Sequence, residues 1–349
     1  MLSLYLTIFM LDGKMRYIED DLTNKTILIT GGAGFIGSNL AFYFQNNHPQ
    51  AKVVVIDSFR SGAKFSNGNL KSFGHFKNLI GFRGEVISGN INDKELLANL
   101  QAHYKFDYIF HEAAISDTTV AEQDLMIQTN VNAYHDLLKL ALAHNAHMIY
   151  ASSGATYGDA PSPQTVGIES PNNVYGFSKL SMDHLSREYM QESSICIVGL
   201  RYFNVYGPRE YFKNATASMV LQFGLQILAD KNPRLFERSD QILRDFIYIE
   251  DIIQANVKAM QANKSGIYNV GTAKARSFQD IVDILQKELQ TDLTCEYIPN
   301  PYIGSYQFHT QADIETTKTE LDYSPAYEME DGIRAYVPEI KRVYEKEVK

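Results

Sequence analysis

A glycine-rich turn between an apolar run and a helical segment most constrains how this 349-residue chain can fold. The turn contains Gly31, Gly32, Gly34 and Gly37. It follows the apolar run 26–30 and opens a helical pattern over 38–44. Small residues there let the backbone approach a pyrophosphate, and a helix N-terminus favours its negative charge. Asp57 ends the next apolar run, where a carboxylate can bind an adenosine ribose hydroxyl, so the pattern predicts a dinucleotide-binding unit.

Short apolar runs alternate with helical segments along the chain. The runs cover residues 26–30, 52–57, 85–88, 107–110, 147–150, 195–200 and 267–271. Because these runs lack polar alternation, they are typical of strands covered on both faces. Their alternation with helices predicts βαβ units and an α/β fold with a doubly wound parallel sheet, in which ligands bind beyond the carboxyl ends of the strands. A helix is predicted over 278–289, and 62–84 is predicted to be an extended loop.

The pattern becomes less regular after residue 207, which suggests two structural units. We expect residues 24–206 and 245–290 to form the Rossmann dinucleotide-binding domain. Residues 207–244 and 291–349 would form a smaller substrate-binding lobe in the carboxyl half. Residues 1–23 are predicted to be an N-terminal extension, disordered in part.

Composition excludes several classes of function. The net charge is −9 with both signs interspersed, which argues against a nucleic-acid partner. The two cysteines, Cys196 and Cys295, provide neither a disulfide framework nor a metal cluster, so no metal site is predicted. No segment approaches the roughly 20 apolar residues that a membrane span needs. These observations predict a cytoplasmic protein without a membrane partner.

Tyr175 and Lys179 provide a candidate acid/base pair. A phenol has an ordinary pKa near ~10, so it is a poor base at neutral pH. Lys179 lies one helical turn later and can hold a phenolate by charge. Beside a nicotinamide, such a pair removes a proton from an alcohol as hydride leaves. On a surface helix the same spacing is usually a solvated face.

The choice between NAD and NADP depends on the residues around Asp57. A carboxylate repels a 2′-phosphate, so Asp57 alone favours NAD. Arg60 and Lys64 follow and can neutralise that phosphate, unless they are solvated loop charges. We predict NADP as cofactor, with NAD as the alternative.

Several motifs together carry a family resemblance. They are 31–37, the serine-rich 150–153, the Tyr-x-x-x-Lys of 175–179, 201–209 and 244–248. The chain resembles the extended short-chain dehydrogenase/reductase superfamily over about residues 24–340. Within it, the segments 111–119, 209–213, 235–237 and 306–313 resemble the ADP-glyceromanno-heptose 6-epimerase family.

The resemblance implies a set of site residues and an NADP cofactor. The implied cofactor-binding residues are Gly31, Gly34, Phe35, Ile36, Gly37, Asp57, Ser58, Arg60, Lys64, Lys94, Glu112, Ala113, Ala114, Ile115, Ser116, Asn130, Tyr175, Lys179, Val205 and Lys213. The implied substrate-binding residues are Ser116, Ser153, Asn204, Ala215, Ser218, Gln222, Phe236, Glu237, Arg238, Ser239, Arg244 and Tyr306. Ala215 and Gln222 depart from the family pattern of serine and histidine, which affects details of nucleotide-sugar contact.

The resemblance also implies a reaction. A carbinol at C6 of an ADP-linked heptose would be oxidised to a ketone and reduced again, for the supply of lipopolysaccharide core heptose. Rotation about C5–C6 moves the oxygen, so Tyr175 and Lys213 are our hypothesis for two acid/base groups. Lys179 would lower the Tyr175 pKa and bind the nicotinamide ribose, and Ser153 would orient the substrate oxygen. The resemblance further implies a homo-oligomer.

Two other functions compete with this one. The first is another nucleotide-sugar epimerase or a dehydratase of the same fold, but dehydratases carry an Asp-Glu pair where this chain has 154–156. The second is a non-catalytic dinucleotide-sensing regulator. The joint retention of Ser153, Tyr175 and Lys179 argues against it. On spacing alone Ser153 is equally typical of a helix cap, and Lys213 is more typical of a solvated lysine. Arg244 can pair with a nearby aspartate, but a pocket-facing arginine suited to a diphosphate is favoured.

Overall fold

The computed structural model describes the backbone of residues 9–11, 14–300 and 308–349, and the side chains of 16–300 and 308–349. The strands are β1 (Phe9–Leu11), β2 (Lys14–Arg16), β3 (Thr26–Thr30), β4 (Lys52–Asp57), β5 (Glu85–Ser88), β6 (Tyr108–His111), β7 (His147–Ser153), β8 (Ile197–Tyr202), β9 (Asn204–Tyr206), β10 (Arg234–Phe236), β11 (Leu243–Tyr248), β12 (Gly266–Val270), β13 (Ala275–Ser277) and β14 (Glu296–Ile298). The helices are α1 (Phe35–Asn47), α2 (Lys94–His103), α3 (Gln123–Ile127), α4 (Ala133–His144), α5 (Val174–Glu192), α6 (Met219–Leu228), α7 (Ile249–Ala259), α8 (Phe278–Leu289), α9 (Glu315–Leu321) and α10 (Met329–Val343).

A seven-stranded sheet forms the centre of the fold, in the order β12-β8-β7-β6-β3-β4-β5, and all its strand pairs are parallel. Alternate residues of the inner strands enter two separate cores, so Ile29 and Val55 face one layer while Leu28 and Val54 face the other. Helices α1 and α7 pack together on the first face, and α2, α4 and α5 cover the second. Both faces are therefore apolar, which explains the unbroken apolar runs. The predicted α/β fold with a doubly wound sheet is confirmed.

The strand order reverses between β3 and β6, and this places a crevice at their carboxyl ends. Thr30 and His111 are register partners there, and the Thr30 hydroxyl lies 2.8 Å from His111 Nδ1. Burial lowers the His111 pKa to about 3, so the imidazole is neutral. His111 joins the two strands from within the core.

The carboxyl half contains two smaller sheets. Strand β11 pairs with β9 and β13, and β10 pairs with β14. Helices α6, α8 and α10 pack against one another. The sequence interpretation put α8 with the dinucleotide-binding domain, whereas its helical neighbours lie in the predicted substrate lobe. The division into 24–206 plus 245–290 and 207–244 plus 291–349 stays a prediction.

The segment 62–84 is a loop between β4 and β5, as its composition predicts, and it is packed against the rest of the molecule. Lys64 forms an isolated bridge with Leu70, and Phe65 is buried. Asn67 and Asn69 donate hydrogen bonds of 3.0 and 2.7 Å to the same carboxylate oxygen of Asp117. Composition does not show this packing, because side chains distant in sequence hold the loop.

Part of the predicted N-terminal extension packs on the sheet layer. Tyr17 stacks on Tyr43 with ring centroids 5.5 Å apart, and its backbone amide donates to the Tyr43 hydroxyl. The prediction of disorder for the start of this extension lies largely outside the described residues. Among the helices that are described, none is both long and apolar enough for a membrane crossing.

Candidate active site

A cleft of about 840 Å³ opens at the carboxyl ends of the central strands. It brings together most of the residues that the sequence singled out. The predicted residues that line it are Gly31, Gly34, Phe35, Ile36, Gly37, Asp57, Ser58, Glu112, Ala113, Ala114, Ile115, Ser116, Ser153, Tyr175, Lys179, Asn204, Val205, Lys213, Ser218 and Arg244. The cofactor turn and the candidate catalytic side chains therefore share one cavity.

The glycine turn has the geometry of a phosphate cradle. Gly31 has φ +70°, and a Cβ there would lie 2.8 Å from the Ala113 nitrogen. A Cβ on Gly37 would lie 2.3 Å from the Gly31 oxygen. Helix α1 begins just after Gly34, which has no side chain to cap the first amides. The open helix N-terminus and the lack of side chains fit the pyrophosphate of a dinucleotide.

Asp57 supports this turn from the end of β4. Its two carboxylate oxygens accept backbone hydrogen bonds from Ala33 at 3.0 Å and Phe59 at 2.8 Å. Burial raises the Asp57 pKa, and these two hydrogen bonds lower it. A Cβ on Gly74 would lie 2.0 Å from Asp57 Oδ1, so the 62–84 segment closes over the carboxylate. Asp57 thus has a structural role beside the predicted ribose contact.

Tyr175 and Ser153 face the cleft from α5 and the end of β7. The Tyr175 pKa is raised, because burial and the nearby Glu112 charge outweigh the hydrogen bond with Ser153. Ser153 Oγ also accepts from the Ala155 amide at 3.1 Å, so the cap interpretation holds together with a cleft position. The phenol is accordingly protonated in the free protein at neutral pH.

Lys179 is 2% exposed and donates to the Ala151 carbonyl at 2.6 Å. Burial lowers its pKa to about 8, against the opposing charges of Glu112 and Asp183. Burial is the largest cause of the raised Tyr175 pKa. The Lys179 ammonium is directed to a strand carbonyl, and its expected lowering of the Tyr175 pKa stays a prediction.

Glu112 lies in the same cleft as a poorly paired carboxylate. Its Oε1 accepts from the Tyr202 hydroxyl at 3.0 Å, while its Oε2 is buried without a hydrogen-bond partner in the described part of the chain. Burial raises the Glu112 pKa to about 7, and the Tyr202 hydrogen bond and Lys179 lower it. This carboxyl therefore changes charge in the neutral range.

Lys213 reaches the cleft from a short 3-10 helix, Tyr211–Thr216. Its ammonium lies 5.7 Å from the centroid of the Phe35 ring, next to the glycine turn. Burial lowers the Lys213 pKa, and the Glu210 carboxylate raises it. The solvated-lysine alternative does not describe this position.

Comparison with known proteins agrees with this geometry. A family model described as the NAD dependent epimerase/dehydratase family matches residues 27–271. The chain belongs to this family. The match includes the glycine turn and both Tyr175 and Lys213, so this epimerase/dehydratase family member carries its candidate site within the matched region.

Solved structures of related proteins align over nearly the whole chain. The ADP-L-glycero-D-manno-heptose-6-epimerase of Helicobacter pylori is 56% identical, with 94% of this chain and 99% of that chain covered and a TM-score of 0.86. The UDP-glucose 4-epimerase of Thermotoga maritima is 26% identical, with 91% and 99% covered and a TM-score of 0.81. The UDP-glucuronic acid 4-epimerase of Bacillus cereus, in complex with NAD, is 29% identical, with 91% and 100% covered and a TM-score of 0.78.

Other predicted residues of this epimerase/dehydratase family member lie outside the cleft lining. They are Arg60, Lys64, Lys94, Asn130, Ala215, Gln222, Phe236, Glu237, Arg238 and Ser239. Arg60 donates to the Phe212 carbonyl, and neither Arg60 nor Lys64 lines the cavity. Asn130 is fully buried and holds the Ile115 backbone by two hydrogen bonds of 2.8 and 3.0 Å. Tyr306 lies outside the described residues.

Sequence reasoning missed three kinds of residue in this family member. Lys71 lines the cleft, although Arg60 and Lys64 were the predicted cations. Asn90 and Ile91 line it from the segment after β5. Glu210 is buried in the loop that carries Lys213, and in the sequence it stands out only as part of the 209–213 motif. Only the position of Asn90 beyond a strand end offered a signal in the sequence.

Proposed function

We propose that this chain converts ADP-D-glycero-D-manno-heptose to ADP-L-glycero-D-manno-heptose by epimerisation at C6 through a 6-keto intermediate, and so supplies heptose for a lipopolysaccharide core. The observation that carries the proposal is the presence of Tyr175 and Lys213 in one cleft with the glycine turn. The 56% identity to a heptose 6-epimerase supports the choice of sugar.

The chain's residues divide the proton transfers between them. A bound nicotinamide dinucleotide supplies a hydride acceptor and donor, and none is consumed overall. Tyr175 takes the hydroxyl proton from one epimer, and Ser153 orients that oxygen. After rotation about C5–C6, Lys213 protonates the oxygen in its new position, and the proton taken up by Tyr175 is returned to Lys213 through solvent before the next turnover. The reverse conversion uses Lys213 as base and Tyr175 as acid.

In the free protein the electrostatics of the cleft suit the direction in which Lys213 is the base and Tyr175 is the acid. The opposite direction requires the Tyr175 phenolate and the Lys213 ammonium. Burial lowers the Lys213 pKa, which favours the neutral amine that a base requires. The raised Tyr175 pKa keeps the phenol as a proton donor. The Glu112–Ser116 segment and the glycine turn provide the walls that hold the dinucleotide, and Lys179 is the proposed contact to its nicotinamide ribose.

We further propose NADP as the preferred cofactor. Asp57 accepts two backbone hydrogen bonds, which direct its carboxylate toward the turn and partly offset its repulsion of a 2′-phosphate. Ser58 and Lys71 line the same part of the cleft and offer a hydroxyl and a cation for a 2′-phosphate. In this proposal Lys71, rather than Arg60 or Lys64, neutralises the 2′-phosphate.

The decisive experiment follows the C6 configuration by NMR. Purified protein is incubated with ADP-D-glycero-D-manno-heptose without added cofactor. Conversion of the substrate by cofactor retained through purification is the expected result. No conversion of the heptose, together with turnover of a UDP-hexose, would reject the proposed substrate in favour of a ring-carbon epimerase.

A further inference from the structure

A single buried carboxylate joins the two ends of the segment that carries Lys213. Glu210 is 0% exposed. Its Oε1 accepts from the Gly207 amide at 3.1 Å and from the Ser218 hydroxyl at 2.7 Å. Its Oε2 accepts from the Ser218 amide at 2.6 Å. The Glu210 carboxylate therefore fixes residues 207–218 as a closed loop.

Lys213 lies at the inner side of this loop. Its backbone amide donates to the Glu210 carbonyl at 2.9 Å, and its side chain extends into the cleft. Within residues 16–300 and 308–349, its ammonium has no hydrogen bond or ion pair. The Glu210 carboxylate and the Lys213 ammonium act on each other by charge, and the Tyr336 hydroxyl also faces Glu210.

The residue after Lys213 has a strained backbone. Asn214 has φ 53° and ψ −124°, a conformation that favours glycine. Hydrogen bonds on either side maintain it: Thr216 Oγ1 donates to the Lys213 carbonyl at 2.9 Å, and the Ala217 amide donates to the Asn214 carbonyl at 3.0 Å. Such strain persists only where surrounding contacts over-determine it, and Glu210 provides the contacts at both ends of the loop.

We propose that Glu210 is the positioning residue for Lys213: it holds the 207–218 loop so that the amine enters the cleft, and it places a buried negative charge near that amine. Glu210 is buried and does not line the cleft, so it would act through Lys213. The proposal rests on the acid/base role given to Lys213 in the proposed function. It adds a group that favours the protonated form of Lys213, against the effect of burial.

The test measures Lys213 directly as well as activity. Lysines are reductively ¹³C-methylated, the Lys213 signal is assigned with Lys213→Met, and its pKa is read from an NMR titration. In Glu210→Gln the Lys213 pKa should fall by about one unit, because a neighbouring negative charge is removed. In the direction in which Lys213 acts as acid, the alkaline limb of the pH profile of kcat should shift to lower pH by the same amount.

A matched control and a conservative variant separate charge from position. Glu250→Gln removes another largely buried carboxylate, which faces Tyr17, and should leave the Lys213 pKa unchanged. Glu210→Asp keeps the charge but withdraws it by one methylene. It should lower kcat at least tenfold across the pH range with little change in KM and little shift in the Lys213 pKa.

Two results would overturn the inference. An unchanged Lys213 pKa in Glu210→Gln would show that the Glu210 charge does not act on Lys213. A wild-type kcat in Glu210→Asp would show that Glu210 does not position Lys213. If Glu210→Gln does not fold, Glu210→Asp alone still decides the positioning effect. If the protein turns over no ADP-heptose, the proposed function fails, whereas the NMR titration still decides the link between Glu210 and Lys213.

Discussion

Lys179 donates a 2.6 Å hydrogen bond to the carbonyl of Ala151. Because Ala151 precedes Ser153 on β7, this bond ties α5 to the strand that carries the serine. Tyr175 lies one helical turn before Lys179, so the bond also fixes the phenol beside Ser153. The lysine of the Tyr-x-x-x-Lys motif is thus part of the scaffold of the site, whatever contact it makes to a cofactor.

We predict that Tyr175→Phe and Lys213→Met each lose about 100- to 10,000-fold in epimerisation, the usual contribution of acid/base groups. Each variant retains one of the two groups that the rotating ketone needs. Turnover of each epimer is measured separately by NMR. Lys64→Met removes an exposed lysine outside the cleft lining and should remain active. Near-normal turnover in Lys213→Met would mean that a single tyrosine suffices.

Cofactor choice should depend on Lys71 rather than on Lys64. Lys71 lines the cleft, so Lys71→Ala should weaken NADP binding about tenfold while leaving NAD binding nearly unchanged, because only NADP carries the 2′-phosphate. Lys64→Ala is the matched control and should bind both cofactors normally. Dissociation constants from calorimetry on cofactor-free protein test this, and equal weakening for NAD and NADP contradicts it.

Glu112 should make the free protein less stable as pH rises. Its pKa is raised from 4.5 to about 7 on folding, so between those values the folded state binds more protons than the unfolded state. Stability is unaffected by this group below pH ~4.5 and is progressively lost up to pH ~7. Glu112→Gln should therefore gain in Tm over wild type as pH increases through this window. A constant Tm difference from pH 4 to 8 would rule this out.

Gly37→Ala should disrupt cofactor binding and stability together. Its Cβ would lie 2.3 Å from the Gly31 oxygen, which forces the turn to shift. A loss of about 1–3 kcal/mol in the free energy of unfolding is expected, as for other overpacking substitutions. Gly154→Ala is the control, because its nearest neighbours lie on the Phe203 ring at 3.4 Å. Denaturant unfolding of both variants and NADP titration provide the measurement.

The central sheet was largely predictable, because its signals are local. Strands β3, β4 and β5 have the predicted bounds, since each is an apolar run between polar residues. The prediction for β8 began at residue 195, whereas the strand spans Ile197–Tyr202. Its ladder with β7 determines the end, and pairing partners are not visible in the run itself.

The cations and the buried carboxylate of the site were less predictable. Lys64 and Lys71 lie in the same polar segment, and only the fold of that segment directs Lys71 to the cleft. Glu210 resembles any charged loop residue until Gly207 and Ser218 are seen to converge on it. Such roles come from tertiary convergence, which residue spacing does not encode.

Asp117 holds the 62–84 loop beside the cleft, and this affects how the site can open. One of its oxygens accepts from Asn67 and Asn69, and the other accepts from the Thr119 amide and hydroxyl. Phe65 is buried in a small apolar cluster that Tyr175 contacts. Releasing the loop would break the hydrogen bonds from both asparagine side chains and expose the Phe65 ring in one event. We expect hydrogen exchange to show that this segment opens as one cooperative unit, so that the dinucleotide cleft is uncovered in a single step.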